Sequence, residues 1–253
     1  MVSFPEIRVF GVTGIPEVHP GNNLADLIVR ATQGQGTPLE ENDILVVTQK
    51  VVSKSEGCVV DLRTIEPSAF AQTLAAQWDK DARHVEVVLR ESRRIVRMDH
   101  GVVIAETRHG LICANAGVDA SNIPGDTTVA TLPVDPDASA KRLRAGIREQ
   151  TGLTIAVIIS DTFGRPWRIG STDVAIGTAG INPLKDYRGE EDPYGYSLRV
   201  SIVATADEVS GAAELVNRKT QGVPVAVLRG LPYEHAPEAS SALIREPGAD
   251  LFR

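Results

Sequence analysis

Apolar positions along the chain alternate between two spacings. Val9 to Val12 forms a short apolar run that ends in the turn Thr13-Gly14-Ile15-Pro16. Leu24, Leu27, Ile28 and Ala31 then recur at helical spacing, with Asn22 or Asn23 as the cap. Gln33 to Asn42 is polar and Gly-rich and predicts a loop; Ile44 to Thr48 is a β-branched run and predicts a buried strand. If Gln49-Lys50-Val51-Val52-Ser53-Lys54 continues that strand, Lys50 and Lys54 share a face. Phe70, Leu74 and Trp78 lie on one helical face, and Pro67 suits the first turn. Val85 to Leu89 fits either an extended run or the end of that helical region.

Two strands follow, Val102 to Glu106 and Leu111 to Ala114, joined by a turn around Arg108-His109-Gly110. Ala116 to Asn122 has loop composition. Pro133 to Asp137 leads into a helix whose apolar face is Ala140, Leu143 and Ile147 and whose end is marked by Gly152. Thr154 to Ile159 is the clearest strand, apolar enough for burial on both faces, and is expected to stop at Ser160-Asp161-Thr162. A polar, Gly- and Arg-rich stretch continues to Gly180, and Tyr187 to Tyr196 reads as loop. Leu198 to Ala204 alternates like a strand. Val209, Ala212, Ala213 and Val216 mark a helix headed by Asp207, and Pro224 to Leu228 is a last core strand. A tail with a short helix near Ser240 follows. This mixture lacks the strict alternation of a doubly wound sheet, so an α+β fold with mixed sheets and flanking helices is expected, as one domain over 1–253 with room for two subdomains.

Composition narrows the function. A net charge of −7 argues against a general nucleic-acid binder. No apolar run reaches membrane-spanning length, and Met1 to Phe10 has no secretory pattern, so a cytoplasmic protein is expected. Cys58 and Cys113 are isolated and read as buried thiols. His19, His84, His100, His109 and His235 form no metal pair and no triad. Neither G-x-x-x-x-G-K-[ST] nor a strand followed by G-x-G-x-x-G occurs.

The strongest chemical signal is Ser160-Asp161-Thr162-Phe163-Gly164-Arg165. A buried strand there delivers a carboxylate and a hydroxyl to its carboxyl end, and Arg165 and Arg168 could meet phosphate oxygens. A capping role for Asp161 with solvated arginines fits equally well. In Gly117 to Asn122, Asp119 taken alone fits an Asx-turn better than a site. Asp207-Glu208 at a helix head suits the helix dipole. Taken together, acidic strand and helix ends with no His or Cys beside them suit Mg²⁺ or Mn²⁺. Ser53 and Lys54 could hold phosphate oxygens, although a pair of lysines is more often a solvated face.

In this order the chain carries Thr13-Gly14-Ile15-Pro16, Lys50-Val51-Val52-Ser53-Lys54, Ala116 to Asn122, Pro133 to Asp137 and Ser160 to Arg165. Asp192-Pro193-Tyr194-Gly195, Ala206-Asp207-Glu208 and Val227-Leu228-Arg229-Gly230 complete the set. Over nearly its full length the chain thereby resembles the F420-0:gamma-glutamyl ligase family, and in particular the ligase domain of actinobacterial members. Those often add a flavin-binding reductase domain, for which a chain ending at Arg253 leaves no room. The resemblance implies a GTP-dependent ligase that joins L-glutamate to coenzyme F420-0 and extends it through gamma linkages. It implies Mg²⁺ or Mn²⁺, two ions in all, with K⁺ as helper, and a homodimer with the site near the subunit interface. It places Ile15, Pro16, Glu17, Val18, Gln49, Lys54 and Asn122 at GTP, along with the stretch after Asp207. Asp119, Asp161, Thr162 and Glu208 fall at metal positions, with Asp119 and Asp161 as the catalytic pair. Gln49 stands where many relatives carry a small hydroxyl residue, which leaves its backbone to serve the contact. A different metal-dependent phosphotransferase or phosphohydrolase, a non-catalytic nucleotide-binding module and a purely structural domain are the rival readings.

Overall fold

In the computed structural model the described residues are 5–123, 125–237 and 239–250. The first residues of the Met1–Phe10 reading and the chain end at Arg253 lie outside them. The fold is α+β. Its centre is a five-stranded sheet in the order β1 (Arg8–Val12), β12 (Val225–Arg229), β2 (Ile44–Thr48), β8 (Ala156–Arg165) and β9 (Arg168–Ala179). Only β2 and β8 run parallel, with Ile44 opposite Ala156 and Thr48 opposite Ser160. Ile44, Leu45, Val46 and Val47 are all fully buried because both faces of the sheet are covered.

On one face, Leu45, Val47, Val157, Ile159 and Val227 pack against α1 (Leu24–Gly34), α2 (Gln49–Ser55) and α5 (Pro136–Thr151). On the other, Ile44, Val46, Ile158 and Leu228 meet Ala206, Val209 and Ala213 of α6 (Thr205–Asn217). Asn23 caps α1 and Asp135 caps α5, and Gly152 ends α5 in the left-handed region at φ 75°.

Smaller layers occupy the middle of the chain. β3 (Val59–Asp61) pairs with β7 (Thr128–Ala130). β4 (Ser92–Asp99), β5 (Val102–Thr107) and β6 (Ile112–Ala114) form an antiparallel sheet. Val87 and Val88 of α4 (Ala82–Glu91) pack on Val103 and Ala105 of that sheet, and α3 (Ala69–Trp78) packs on α4 through Ala71, Leu74 and Val85.

Several sequence expectations need correcting. Residues 49–55 are helical, so β2 ends at Thr48. Lys50 and Lys54 still share a face, because a four-residue spacing does so in a helix as well as in a strand. β8 does not stop at Ser160 but runs to Arg165 and turns back into β9 as a long hairpin. Burial fades there while backbone pairing continues, so composition resembled a loop. Leu198 to Ala204 yields only β11 (Ile202–Val203), paired with β10 (Lys185–Asp186); its alternation finds no larger sheet to join. Pro67 precedes the cap Ser68 rather than opening α3, and Phe70 is half-exposed while Ala71, Leu74 and Ala75 face inward. The ambiguous stretch 85–89 belongs to α4, capped by Asp81. The short helix expected near Ser240 is present as a 3-10 helix, Ser240–Leu243, and a second follows at Pro247–Ala249. Cys113 is buried but Cys58 is only half-buried, and both are free thiols.

Gly177 locks α5 onto the sheet. A Cβ there would lie 2.5 Å from the carbonyl carbon and oxygen of Pro136. Those are backbone atoms at the helix start and cannot rotate away. Gly177→Ala is expected to destabilise the protein by about 1–3 kcal/mol. A lowered urea midpoint with an unchanged slope would register this; an unchanged midpoint would show that the α5–β9 seam yields freely.

Candidate active site

The parallel pairing of β2 with β8 ends at Thr48 and Ser160, and a cavity of about 850 Å³ opens just beyond it. Parallel strands leave such a crevice at their ends, where loops diverge. Ile15, Pro16, Glu17 and Val18 line it from the loop after β1, and Gln49, Lys50 and Lys54 from α2. Asp119 and Asn122 come from the loop after β6, and Asp161 and Thr162 from β8. Ten of the expected site residues are thus brought together although they span more than 140 positions of the chain. Glu208 is not among them: it is exposed on the first turn of α6, outside the lining.

Each lysine of α2 is held by a carboxylate. Lys54 is 8% exposed, and its Nζ lies 2.6 Å from Glu17 Oε1. Lys50 Nζ lies 2.6 Å from Asp119 Oδ2 and also contacts the Ser121 hydroxyl. Asp119 does form the Asx-turn that its sequence suggested: its Oδ1 accepts from the Ser121 amide at 2.7 Å. The same carboxylate faces the cavity, so turn and site are not alternatives at this residue. Burial pushes its pKa up, but the hydrogen bonds from Lys50 and Ser121 outweigh this and hold it below the usual range.

Asp161 is no helix cap; it sits inside β8 opposite Val174. Burial, joined by the charges of Asp173 and Asp119, pushes its pKa up to about 7 against the opposing Thr162 amide and Lys50. Carboxylates crowded in this way favour a proton or a cation among them.

Other expectations are not met by geometry. Ser53 is fully buried, and its hydroxyl donates to the Thr131 carbonyl at 2.7 Å, away from the cavity. The Gln49 amide donates to Ser53 Oγ and to the Thr131 carbonyl, so its side chain is committed to the core. Arg165 folds back onto the carbonyls of Ile169 and Gly170, and neither Arg165 nor Arg168 lines the cavity. The hairpin carries Arg165 four residues beyond Asp161, roughly 13 Å of strand. Asp207 pins β9, accepting from the Ala175 amide at 2.8 Å, and burial raises its pKa.

The structure also adds residues that the sequence did not single out. Asp173 on β9 is buried and lines the cavity, as do Asn217, the last residue of α6, and Arg218, Lys219 and Thr220 beyond it. Asn217 is 4% exposed, and neither atom of its amide has a partner, which leaves a donor and an acceptor at the cavity wall. Only its position at a helix end next to Arg218-Lys219 could have flagged it.

Among the described residues no group of three or more His, Cys, Asp or Glu side chains stands ready as a metal cage. The donors expected at a metal are nonetheless all oxygen, Asp119, Asp161 and Thr162, with the Asp173 carboxylate hydrogen-bonded to Thr162. Such donors suit a hard divalent cation completed by water and ligand oxygens rather than an all-protein cage.

An α+β scaffold with a cavity beyond the β2–β8 pairing, lined by lysines and carboxylates together, defines a class of protein with a charged cleft of ligand size. Within that class, the chain belongs to the F420-0:gamma-glutamyl ligase family, whose description matches residues 13–230. It is 45% identical to the coenzyme F420:L-glutamate ligase of Methanopyrus kandleri, with all of both chains covered. It is 43% identical to the enzyme of that name from Methanothermobacter thermautotrophicus, over 98% of this chain and 99% of the relative. With the namesake from Methanocaldococcus jannaschii it shares 40% identity over 91% of this chain and 90% of the other.

Proposed function

We propose that the protein is a coenzyme F420:L-glutamate ligase that uses GTP to activate the acceptor carboxylate. The observation that carries this reading is the meeting of Lys50 and Lys54 with Asp119, Asp161 and Asp173 in one cavity, within a chain of this family. A carboxylate does not condense with an amine in water unless it is activated. Transfer of the γ-phosphoryl group of GTP to the acceptor carboxylate gives an acyl phosphate and GDP. The glutamate amine then attacks the acyl carbon and phosphate leaves.

Such a transfer depends on positioning and charge neutralisation more than on a protein nucleophile. The absence of a Ser-His or Cys-His pair at the cavity is consistent with that requirement among the described residues. Lys54, now paired with Glu17, would exchange that carboxylate for a phosphate oxygen, and Arg218 and Lys219 would add to the positive lining. The Asn217 amide offers a donor and an acceptor to a polar ligand edge. Asp119, Asp161 and Thr162 would hold Mg²⁺ or Mn²⁺. When bound, the metal supplies neutralisation of charge on the phosphates.

The test is incubation with GTP, Mn²⁺, K⁺, glutamate and F420-0, read by product mass and GDP release. Mass gain by one glutamate unit or more, with GDP formed only when glutamate is present, is expected. GDP formed regardless of glutamate would favour a phosphohydrolase or another phosphotransferase.

The proposal includes a homodimer. The β8–β9 hairpin tip and the 187–203 segment expose apolar side chains, with Ile169 99%, Tyr194 95% and Val200 86% exposed. The proposed dimer would bury these side chains, as contiguous exposed apolar surface marks an interaction site. Light scattering is expected to give twice the 27.1 kDa chain mass, and Ile169→Asp to shift it toward the monomer. A parent that is monomeric at micromolar concentration would sink the dimer. Among the described residues no helix is long and apolar enough to cross a membrane. A cytoplasmic setting is part of the proposal, and the two free thiols suit it.

A further inference from the structure

From the β8–β9 pairing we infer that Asp173 is a positioning residue that turns the lone pairs of the Thr162 hydroxyl toward the cavity. The inference rests on the proposed reading of Thr162 as a cation-facing residue. Asp173 stands directly opposite Thr162 in the hairpin and is 6% exposed. The Thr162 hydroxyl donates to its Oδ1 at 2.7 Å, and the Ser160 hydroxyl donates to its Oδ2 at 3.3 Å.

A threonine hydroxyl has one proton and two acceptor sites. Left to itself it rotates, and in one rotamer it presents the proton to a ligand instead of a lone pair. A cation is attracted by the lone pairs and repelled by that proton. With its proton committed to Asp173, Thr162 meets the cavity as an acceptor. The Ser160 hydroxyl, on the other carboxylate oxygen, keeps the Asp173 carboxylate from swinging away. All three residues line the cavity, so the arrangement sits at the site itself. Partners of this kind behind a ligating group control both its orientation and its basicity.

This role separates from a plain structural one. A structural hydrogen bond would affect melting and leave cation affinity unchanged in the folded protein. A direct ligand would need the charge of Asp173, whereas a positioning residue needs only its acceptor oxygen. Asp173→Asn keeps an acceptor oxygen for Thr162 and removes the charge.

The experiment measures Mn²⁺ binding to the whole chain by the electron paramagnetic resonance signal of free Mn²⁺, with melting in EDTA as the fold control. Thr162→Val and Asp173→Ala are each expected to weaken Mn²⁺ binding roughly tenfold or more. The double variant should be no weaker than the weaker single one, because both changes remove one device. Asp173→Asn should bind Mn²⁺ clearly more tightly than Asp173→Ala, since the charge is lost in both and the hydrogen bond survives only in the Asn variant. Parental Mn²⁺ affinity in folded Asp173→Ala overturns the inference. So do additive losses in the double variant, or an Asp173→Asn protein as weak as Asp173→Ala. If Asp173→Ala does not fold, Asp173→Asn against Thr162→Val decides alone: equal losses overturn the inference, and a greater loss in Thr162→Val supports it. A parent that binds no Mn²⁺ at all removes the cation reading of the site and this inference with it. Tight parental binding with indifferent variants overturns this inference only.

Discussion

Asp161→Asn is expected to leave the fold intact and to lower glutamate-dependent GDP formation by about 10²–10³-fold or more. Asn preserves the shape and one oxygen. It removes the charge of a side chain on which the charges of Asp173 and Asp119 both act. Without that charge a divalent cation is held poorly, and charge building up on the phosphates goes unneutralised.

The fold control has a definite sign. The folded-state pKa of Asp161 is raised from 3.8 to about 7, mainly by burial. The folded protein therefore holds this proton more tightly than the unfolded chain. Stability in EDTA falls as pH rises between those two values, and the full penalty applies above about 7. Asn carries no such penalty. At pH 8 in EDTA the variant should melt at or above the parental temperature while turnover is lost. A normal melt with normal turnover would make Asp161 an ordinary strand residue and remove the centre of the proposed mechanism.

Lys54→Ala is expected to weaken GTP binding by at least roughly tenfold, as loss of a charge-assisted hydrogen bond worth about 1.5–3 kcal/mol implies. The lysine is buried beside the cavity and its stem is fixed in α2, so little ordering is needed when a phosphate arrives. The same substitution releases the Glu17 carboxylate, 2.6 Å away in the parent, as an unpaired negative charge next to the nucleotide. Part of the loss should therefore be recovered in Lys54→Ala/Glu17→Gln. Calorimetry with GTP separates these effects. Parental affinity in Lys54→Ala would leave this lysine a partner of Glu17 and nothing more.

Much of the scaffold was legible in the chain. The runs 44–48 and 154–159 are apolar enough that only a strand covered on both sides could bury them, and β2 and β8 are the two central parallel strands. Helices α1, α5 and α6 followed from three- and four-residue spacing, with Asn22 or Asn23, the entry Pro133 to Asp137 and Gly152 as end signals; the fold settles the caps as Asn23 and Asp135. The ordered motifs were enough to indicate the family, and ten of the residues they pointed to line one cavity.

What misled local reading was pairing at long range. Asp161 to Thr172 is polar and Gly-rich because its side chains face a cavity and solvent, yet its backbone is satisfied across a hairpin whose return strand re-enters the core at Ala175 to Ala179. Residues 198–204 alternate properly but have only a two-residue partner, and alternation without a partner makes no sheet. Lys50 and Lys54 looked like a solvated face until α2 turned them onto Asp119 and Glu17.

The sequence by itself determined which segments had to be buried, where most helices begin and end, and which acids and lysines were available for chemistry. Those are consequences of apolar period and local capping, which involve neighbours within a few residues. Tertiary structure alone decided that Arg165 folds away, that Glu208 stays outside, and that Asp173 and Asn217 come to the cavity. Burial and charge at these positions depend on residues far along the chain: the pKa of Asp161 is set by a fold that brings Asp119 and Asp173 near it, and no window of sequence contains all three.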